Sequence, residues 1–488
     1  MYPRKTLATR QSSIMLLHRS SSALYRRYFS AGLSPRNATP DTVEKLRQLL
    51  GDRLSTAMSV REHHGKDESY HSAPPPDAVA FVTSTEEVSK VLQICSSTKT
   101  PVIPFGAGSS LEGHISAVCG GISLDLTGLN SILKVEPENM SCRVQAGVTR
   151  LQLESELRAT GLFFPVDPGA DATLGGMVST NASGTTTVRY GNMKSNVLAL
   201  TAVLANGDVI QTGSKARKSS AGYDLTRLLI GSEGTLGVVT EVELRLHGVP
   251  EIQRLAVCSF PSIQLAVDTC TAIMQMGIPV ARMELMDEHT MAATNRYSKL
   301  DNAVLPSLVI ELNGTADDVE NQTALVEALT GEYQVQKIQW ATSTEERSEL
   351  MKARHAAWYA TLNLVPGSKG LSTDVCVPLS ELTQVIVDTQ ADLQQSHLIG
   401  NIVGHVGDGN FHVMLPFLPD DYPKIQAFSD RLIERALKAG GTCTGEHGIG
   451  LGKKKYLELE HGGPTMDVMR AIKHALDPHA ILNPGKLF

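Results

Sequence analysis

The feature that most constrains how this 488-residue chain folds is the clustering of its glycines. Many of the 41 glycines fall in five short segments instead of being spread evenly along the chain. The segments are 104–113, 168–184, 231–237, 404–409 and 440–452. Because glycine has no Cβ, it lets the backbone turn sharply and lie close to another group. The pattern therefore predicts loops that pack directly against a bound ligand.

The first two clusters favour different kinds of ligand. Segment 104–113 follows a predicted strand, and its backbone N–H groups and serine hydroxyls suit an anion. It is not a Rossmann fingerprint, because the third glycine position falls on Leu111, and it lacks the Gly-Lys-Ser/Thr of a P-loop. Taken alone, it is equally well explained as a tight structural turn. Segment 168–184 has almost no large side chain beyond Leu174 and Met177, which suits a flat ligand.

Composition and charge exclude several classes of protein. The net charge of -7 at pH 7 argues against nucleic acid as a main partner, since that requires a basic face. The seven cysteines show no C-x-x-C spacing, so no iron–sulfur cluster, zinc ribbon or c-type haem is indicated. No segment reaches the roughly 18 apolar residues of a membrane-spanning helix, so we expect at most peripheral membrane association.

The first forty residues differ in composition from the rest of the chain. Residues 1–40 contain no Asp or Glu, but seven basic residues and seven serines. This composition is typical of a mitochondrial transit peptide, and a disordered basic tail is the alternative. We therefore expect a mitochondrial protein associated with the inner membrane, on either the matrix or the intermembrane-space side.

The remaining chain divides into a lead-in and two domains. Residues 41–73 are predicted to be a helical, polar lead-in that ends at three prolines. A β-α-β unit follows, with a strand at 78–82, a helix at 85–96 and a strand at 102–103. A second domain with longer helices is predicted to start near residue 250. Further predicted strands are 122–126, 141–146, 197–204 and 238–246, and further predicted helices are 263–276, 318–329, 345–362, 382–395 and 465–475.

Two histidines flank a turn in segment 405–412, which reads H-V-G-D-G-N-F-H. If 407–410 is a four-residue turn, His405 lies opposite His412, with Cβ atoms about 4.5–5.5 Å apart on one face. One hairpin would then supply two ligands of a divalent metal. The alternative is a pair of partly buried histidines that cap a turn.

The last glycine cluster contains the adjacent residues Glu446 and His447. In a flexible loop the two side chains can face different ways, so Glu446 could complete a His-His-Glu metal site. A neighbouring cation disfavours imidazolium, which would keep His447 neutral near pH 7 and suited to act as a general base. An ordinary loop carboxylate is the alternative for Glu446. Such a donor set would serve zinc, manganese or iron alike.

Three of the glycine segments carry the motifs of a known family. The motifs P-x-G-x-G-S-S, D-P-G-A-x-x-T-x-G-G-x-x-x-T-N-A-S-G and G-S-E-G-T-L-G-V-V-T, in this order, resemble the FAD-binding domain of the vanillyl-alcohol oxidase / p-cresol methylhydroxylase (PCMH) superfamily. The resemblance implies an α+β fold with a two-subdomain, PCMH-type FAD-binding domain at 74–248. An α+β substrate-binding cap domain with an antiparallel sheet would follow at 249–440. Residues 441–488 would complete the active site and return to the FAD domain.

The resemblance also implies how FAD is held. Its pyrophosphate would lie on the first glycine segment, and its isoalloxazine ring against the second. Some members tether the flavin through a histidine, but His114 does not lie in the tethering pattern, so non-covalent FAD is expected. The residues implied to contact FAD are Phe105, Gly106, Ala107, Gly108, Ser109, Ser110, Pro168, Gly169, Leu174, Gly175, Gly176, Asn181, Gly184, Glu233, Gly237, Val239 and Asn483.

The later motifs are more specific. G-H-V-G-D-G-N-F-H, T-G-E-H-G-I-G and L-D-P-x-x-I-L-N-P-G-K closely resemble the D-lactate dehydrogenase (cytochrome) branch of the D-2-hydroxyacid dehydrogenases, and the likeness covers about 74–488. It implies that His405, His412 and Glu446 bind a zinc- or manganese-like ion. It also implies that His447 is the catalytic base, and that Arg354 and the metal ion hold the substrate carboxylate. Without the resemblance, Arg354 would be read as a surface residue.

The implied reaction oxidises a small D-2-hydroxy acid such as D-lactate to a 2-oxo acid such as pyruvate. The hydride would pass to flavin N5, and the electrons would continue to cytochrome c or an electron-transfer flavoprotein. Hydroxyglutarate-specific members carry a lysine where this chain has Ser372 and a polar residue where it has Met414, so a monocarboxylate is favoured. Glycolate or another D-2-hydroxy acid is the alternative substrate. A metal-dependent hydrolase and a non-catalytic flavin-binding subunit are the alternative classes.

Overall fold

The computed structural model describes residues 36–71 and 74–488. The leader predicted at 1–40 lies outside the described residues, apart from its last five positions. Across the described ranges, no helix combines the length and the apolar character that crossing a bilayer requires.

Residues 36–248 form two main sheets with helices packed on them. The strands are β1 (Leu54–Ser55), β2 (Ala78–Phe81), β3 (Val102–Phe105), β4 (Ile122–Asp125), β5 (Ile132–Glu136), β6 (Ser141–Gln145), β7 (Leu162–Phe163), β8 (Val197–Val203), β9 (Val209–Gln211), β10 (Val238–Arg245) and β11 (His247–Gly248). The helices are α1 (Pro40–Leu50), α2 (Met58–His64), α3 (Thr85–Thr98), α4 (Arg150–Leu157), α5 (Leu174–Thr180), α6 (Thr187–Tyr190), α7 (Met193–Asn196) and α8 (Leu225–Leu229).

The first sheet has the order β1-β2-β4-β3 and contains the predicted β-α-β unit. Strand β4 pairs in parallel with both β2 and β3, so it lies between the two strands that α3 connects. Ser84 caps α3 by accepting a hydrogen bond from the Glu87 N–H, and the apolar face of the helix is fully buried. This burial is what the i, i+3, i+4 spacing of its apolar residues predicts. The second sheet, β5-β6-β10-β8-β9, is antiparallel.

Residues 249–440 form one large antiparallel sheet with helices on both faces. Its strands are β12 (Ile252–Ser259), β13 (Arg282–Met286), β14 (Ser307–Gly314), β15 (Lys337–Ala341), β16 (Lys369–Ser372), β17 (Val375–Cys376), β18 (Asn401–Gly404) and β19 (Asn410–Phe417). Its helices are α9 (Ile263–Gln275), α10 (Glu288–Ser298), α11 (Ala316–Glu332), α12 (Thr344–Leu362), α13 (Leu379–Gln395) and α14 (Tyr422–Lys438).

The order of this sheet is β15-β12-β14-β13-β18-β19-β16, and β17 also pairs with β19. Helices α9, α11, α13 and α14 share the core on one face, and α10 and α12 pack on the other. Because side chains alternate along a strand, Val403, Met414 and Met286 face α12 while their neighbours face the larger core. The two regions together confirm the α+β fold with an antiparallel cap sheet.

The chain ends with α15 (Lys454–His461) and α16 (Gly463–Leu476) and then returns to the first sheet. Leu482 forms a parallel bridge with Val102 of β3. The Asn483 side-chain amide donates to the backbone oxygens of His114 (3.1 Å) and Glu233 (2.8 Å). The last residues are therefore attached to the amino-terminal region.

The hairpin register predicted for the two histidines is wrong. Strands β18 and β19 pair Val403, not His405, with His412. The connection is a 3-10 turn, Val406–Asp408, in which the His405 carbonyl accepts from the N–H groups of Asp408 (3.0 Å) and Asn410 (3.3 Å). The register thus differs by two residues, which keeps every side chain on its original face. His405 is a diagonal neighbour of His412.

Candidate active site

A cavity of about 1230 Å³ lies between the amino-terminal region and the cap sheet. The amino-terminal region lines it with the two glycine segments near 104–111 and 165–186. The cap lines it with the face of β18 and β19 that points toward α12, and with one side of α12. The volume exceeds the roughly 300–1,000 Å³ of a pocket for a drug-sized ligand, so it suits a dinucleotide together with a small molecule.

Most of the residues predicted to contact FAD line this cavity. They are Phe105, Gly106, Ala107, Gly108, Ser109, Ser110, Pro168, Gly169, Gly175, Gly176, Gly184, Glu233, Gly237, Val239 and Asn483. The other two lie behind the lining: Leu174 is fully buried in the core, and Asn181 ends α5, with its side-chain oxygen accepting from the Lys194 N–H. The shape and the glycine-rich lining fit FAD, although each contact with FAD stays a prediction.

Several of these glycines allow the loops to pack against each other. A Cβ on Gly184 would lie 2.3 Å from Asp167 Oδ1, and one on Gly106 would lie 2.4 Å from Thr173 Oγ1. Around Gly169, in contrast, a Cβ would meet no atom within 4 Å. The sequence interpretation that the glycines serve the ligand is therefore incomplete, because many of them build the cavity wall itself.

The three predicted metal ligands come together at the cap end of the cavity. The Nε2 atoms of His405 and His412 each lie 3.3 Å from Oε1 of Glu446, and the two rings meet edge to face. One ligand atom from each of the three residues lies within 4.8 Å of the others. Such a cluster of two imidazoles and one carboxylate suits a divalent ion.

The second ring nitrogen of each histidine is held by an acceptor. His405 Nδ1 donates to Glu284 Oε1 (2.6 Å), and His412 Nδ1 donates to the Thr373 carbonyl (2.9 Å). In the neutral ring this leaves the lone pair on Nε2, on the side of Glu446. Metal-binding histidines in proteins are oriented in this way by carboxylates and carbonyls, so the donor set fits a metal ion.

The electrostatics of the cluster also favour a cation. Burial disfavours a charged His405, but the carboxylates of Glu284 and Glu446 outweigh burial and raise the pKa of His405 well above its ordinary value. Burial likewise opposes ionisation of Glu446, yet His405 and His412 hold its pKa well below the usual range. The same two carboxylates that favour a proton on His405 would favour a metal cation in its place.

His447 lies beside this cluster and lines the cavity. Its ring stacks on that of His412, with centroids 4.9 Å apart and planes inclined by 9°. Among the described residues, its buried Nδ1 has no hydrogen-bond partner. Burial, reinforced by His412 and Lys453, lowers the pKa of His447 to about 4, so the ring is neutral at pH 7. A neutral imidazole that faces a cavity can accept a proton.

Arg354 is part of the site and not a surface residue. Its guanidinium Nε donates to Glu284 Oε2 at 2.7 Å, and only 17% of its side chain is exposed. Glu284 is completely buried, and its two oxygens join Arg354 to the candidate metal ligand His405. The sequence reasoning missed Glu284. Its signal was an acidic residue between two apolar residues, Met283 and Leu285, in strand β13.

A second missed carboxylate is Asp374, in the T-D-V-C-V-P segment that follows β16. It accepts from the Asn410 side-chain amide (2.8 Å), the Thr444 hydroxyl (2.7 Å) and two N–H groups of the loop that contains Glu446. Burial opposes its ionisation, but Lys453 and the nearby histidines lower the pKa of Asp374 well below its ordinary value. No sequence pattern assigned it a role.

Comparison with known proteins identifies the family. Two family profiles match the chain: the FAD binding domain over residues 76–213 and the C-terminal domain of FAD linked oxidases over residues 249–487. The chain is 48% identical to a protein of Danio rerio named probable D-lactate dehydrogenase, mitochondrial, over 92% of each chain. It is 42% identical to the mitochondrial D-lactate dehydrogenase [cytochrome] of Arabidopsis thaliana, over 92% of this chain and 80% of that one.

A solved structure shows the same fold. The substrate-bound p-cresol methylhydroxylase superposes with a TM-score of 0.74 at 19% sequence identity, over 93% of this chain and 98% of that one. The chain belongs to the FAD-linked oxidases, which are flavin-dependent oxidoreductases. Within that family it falls in the branch that contains the mitochondrial D-lactate dehydrogenases, which confirms the resemblance seen in its motifs.

Proposed function

We propose that the protein catalyses the FAD- and divalent-metal-dependent oxidation of D-lactate, and of related small D-2-hydroxy acids, to pyruvate and other 2-oxo acids. The observation that carries this proposal is the convergence of His405, His412, Glu446, His447 and Arg354 at one end of a dinucleotide-sized cavity. The names of the relatives supply the choice of D-lactate.

The chain's own residues have separate tasks in this reaction. Arg354 binds the substrate carboxylate, because its planar guanidinium can meet both carboxylate oxygens. His447 accepts the proton of the substrate hydroxyl. Glu284 holds Arg354 and His405 in place. When bound, FAD offers N5 as the acceptor of the Cα hydride, and a zinc- or manganese-type ion held by His405, His412 and Glu446 lowers the pKa of the hydroxyl.

The lining beside these groups favours a short, uncharged substrate tail. Met414 and Val403 are buried apolar residues on the same face as the histidines, and Ser372 offers no positive charge. A second carboxylate at this position would lose water without gaining a cationic partner. The proposed substrate is therefore a monocarboxylate. Glycolate and D-2-hydroxybutyrate are the nearest alternatives.

The electrons leave to an external carrier, for which cytochrome c or an electron-transfer flavoprotein is proposed. The word cytochrome in the names of several relatives supports the first. The composition of residues 1–40 and the mitochondrial relatives support a mitochondrial location, on the matrix or the intermembrane-space side of the inner membrane. Any attachment to that membrane is proposed to be peripheral.

Anaerobic mixing of the purified protein with candidate acids tests the proposal. D-lactate should bleach the flavin absorbance at about 450 nm, and L-lactate should not. The bleaching should be faster with D-lactate than with glycolate, D-2-hydroxybutyrate or D-2-hydroxyglutarate. Chelation of the ion and the substitution His447→Ala should each abolish the bleaching. A colourless protein would indicate a hydrolase, and unchanged bleaching in His447→Ala would indicate that His447 is not the base.

A further inference from the structure

The segment 446–450 is held through its backbone by two buried carboxylates. Asp374 Oδ2 accepts from the N–H groups of Glu446 and His447, both at 2.9 Å. Glu233 accepts from the N–H of Ile449 at 2.7 Å and from the N–H of Gly450 at 2.9 Å. Four of the five N–H groups in this segment therefore donate to a charged acceptor, and such hydrogen bonds are stronger than neutral ones.

The two carboxylates belong to the two regions that enclose the cavity, but only Glu233 lines it. Asp374 follows strand β16 of the cap, and Glu233 belongs to the glycine segment before β10, in the amino-terminal region. Both are almost fully buried, with 1% and 5% of their surface exposed. Each fixes the same short segment from its own side, so the position of the segment depends on both regions at once.

Other groups hold the two carboxylates in place. Lys453 Nζ lies 3.6 Å from Asp374 Oδ2, and His114 Nε2 lies 3.1 Å from Glu233 Oε2. The backbone oxygen of Glu233 accepts from Asn483. Because their charges are partnered, these carboxylates can stay ionised inside the protein. The two carboxylates are therefore hydrogen-bond acceptors with fixed positions.

The glycine between the two anchored pairs is required by this arrangement. Gly448 has a φ of +80°, which favours glycine. A Cβ at this position would lie 2.8 Å from both Glu233 Oε1 and His114 Nε2. The segment passes so close to Glu233 that a side chain would have to displace the carboxylate or the imidazole.

We propose that Asp374 and Glu233 are positioning residues that set the Glu446 carboxylate and the His447 imidazole against His405 and His412. This inference rests on the proposed function, in which Glu446 binds the ion and His447 is the base. Neither carboxylate is among the proposed ligands of the ion or of the substrate, although Glu233 is also a predicted FAD contact. They orient the adjacent side chains of Glu446 and His447, which face different partners. The affinity for a divalent ion therefore depends on both carboxylates.

Metal affinity in the flavin-loaded enzyme tests the proposal. Chelator-treated holoenzyme would be titrated with Mn²⁺ in wild type, Asp374→Asn, Glu233→Gln and the control Asp77→Asn. Asp77 also accepts two backbone N–H groups, from Ala38 and Gly121, both at 2.7 Å, but none of the three lines the cavity. We expect binding, measured per bound flavin, to be at least tenfold weaker in the two site variants and within twofold of wild type in Asp77→Asn.

Hydrogen exchange of the same holoenzymes provides a second measurement that does not depend on the ion. The amides of 446–450 should exchange slowly in wild type and faster in Asp374→Asn and Glu233→Gln, but not in Asp77→Asn. If the amides of 446–450 in wild type exchange as fast as those of the exposed loop 214–222, the proposal is overturned. This comparison needs no variant to fold. Unchanged metal affinity in both site variants also overturns the proposal. If the wild-type enzyme binds no divalent ion, the proposed function is contradicted. The exchange rates of 446–450 then still test whether Asp374 and Glu233 hold this segment.

Discussion

At the scale of single residues, the site depends on groups that would not touch the ion themselves. Glu284 accepts from His405 with one oxygen and from Arg354 with the other. Burial opposes its ionisation, but these two partners lower the pKa of Glu284 below its ordinary value. A single buried carboxylate thus orients one proposed metal ligand and the proposed substrate-binding arginine together.

The substitution Glu284→Gln should weaken both functions. Loss of an outer carboxylate partner of a metal-binding histidine costs about 10- to 100-fold in metal affinity. We also expect a higher KM for D-lactate, because Arg354 loses its anionic partner. Glu311→Gln is the control, since Glu311 lies on the neighbouring strand β14, pairs with Arg282 and does not itself line the cavity. Equal metal affinity in the two variants would contradict this role of Glu284.

The substitution His447→Gln should slow the chemical step and leave substrate binding nearly unchanged. Removal of a general base lowers the rate by about 10²- to 10⁴-fold. Stopped-flow measurement of flavin reduction against D-lactate concentration separates the limiting rate from the dissociation constant. His247→Gln is the control, because His247 bonds to Asn196 outside the cavity. A change confined to the dissociation constant would exclude His447 as the base.

At the scale of elements, the hairpin β18–β19 shows how a register error can leave a site intact. The two strands are connected by a 3-10 turn followed by Gly409, and not by the four-residue turn that the sequence analysis assumed. Because side chains repeat every two residues, a shift of two keeps both histidines on the face toward α12. Diagonal neighbours on a sheet are still within reach of each other, so the imidazoles meet.

The turn itself should tolerate no side chain at Gly409. This residue has a φ of +79°, and a Cβ would lie 2.1 Å from the Val377 carbonyl oxygen. Gly367 has the same φ, but a Cβ there would meet no atom within 4 Å. We expect Gly367→Ala to cost about 1 kcal/mol of unfolding free energy and Gly409→Ala clearly more. If denaturant titrations show the same loss of unfolding free energy in both variants, the backbone at Val377 can move away from the added Cβ without cost.

At the scale of the whole molecule, the cavity exists because two regions and the carboxy-terminal segment close on one another. Arg282 of the cap lies 3.3 Å from Asp167 of the amino-terminal region, and Lys453 lies 3.4 Å from Glu112. Leu482 bridges Val102 of the first sheet, and Asn483 and Lys486 donate to carbonyls of the connection between β3 and β4. The site is thus shared among segments far apart in the chain.

The buried side chain of Lys486 should make the unfolding free energy depend on pH in the alkaline range. Lys486 donates to the Ser116 carbonyl at 2.7 Å, and burial lowers the pKa of Lys486 to about 8 from an ordinary value of 10.5. Between these two values the unfolded chain binds more protons than the folded one, so the unfolding free energy should rise with pH. The contribution is at most about 3 kcal/mol.

Comparison of Lys486→Met with wild type between pH 7 and 10.5 isolates this contribution. The variant should lack the rise that wild type shows above about pH 8. Lys455→Met serves as the control, because the Lys455 side chain is half exposed. An identical pH dependence in wild type and Lys486→Met would show that Lys486 is not the group responsible.

The sequence by itself determined several of the helices, the family and the candidate residues of the site. Apolar periodicity located α3, α9, α11, α12 and α13 to within a few residues, because burial of a helix face leaves a local pattern. The order of glycine, histidine and glutamate motifs identified the family and the candidate ligands, since these motifs are contiguous in the chain.

Only the tertiary structure decided the register of the hairpin and the partners of the reactive groups. Glu284 is 121 residues from His405, Asp374 is 73 from His447, and Glu233 is 216 from Ile449. A buried carboxylate leaves no periodic signal, and its partner is set by how two domains pack. The sequence therefore specified which side chains could react, and the packing of the two regions determined which groups hold them in position.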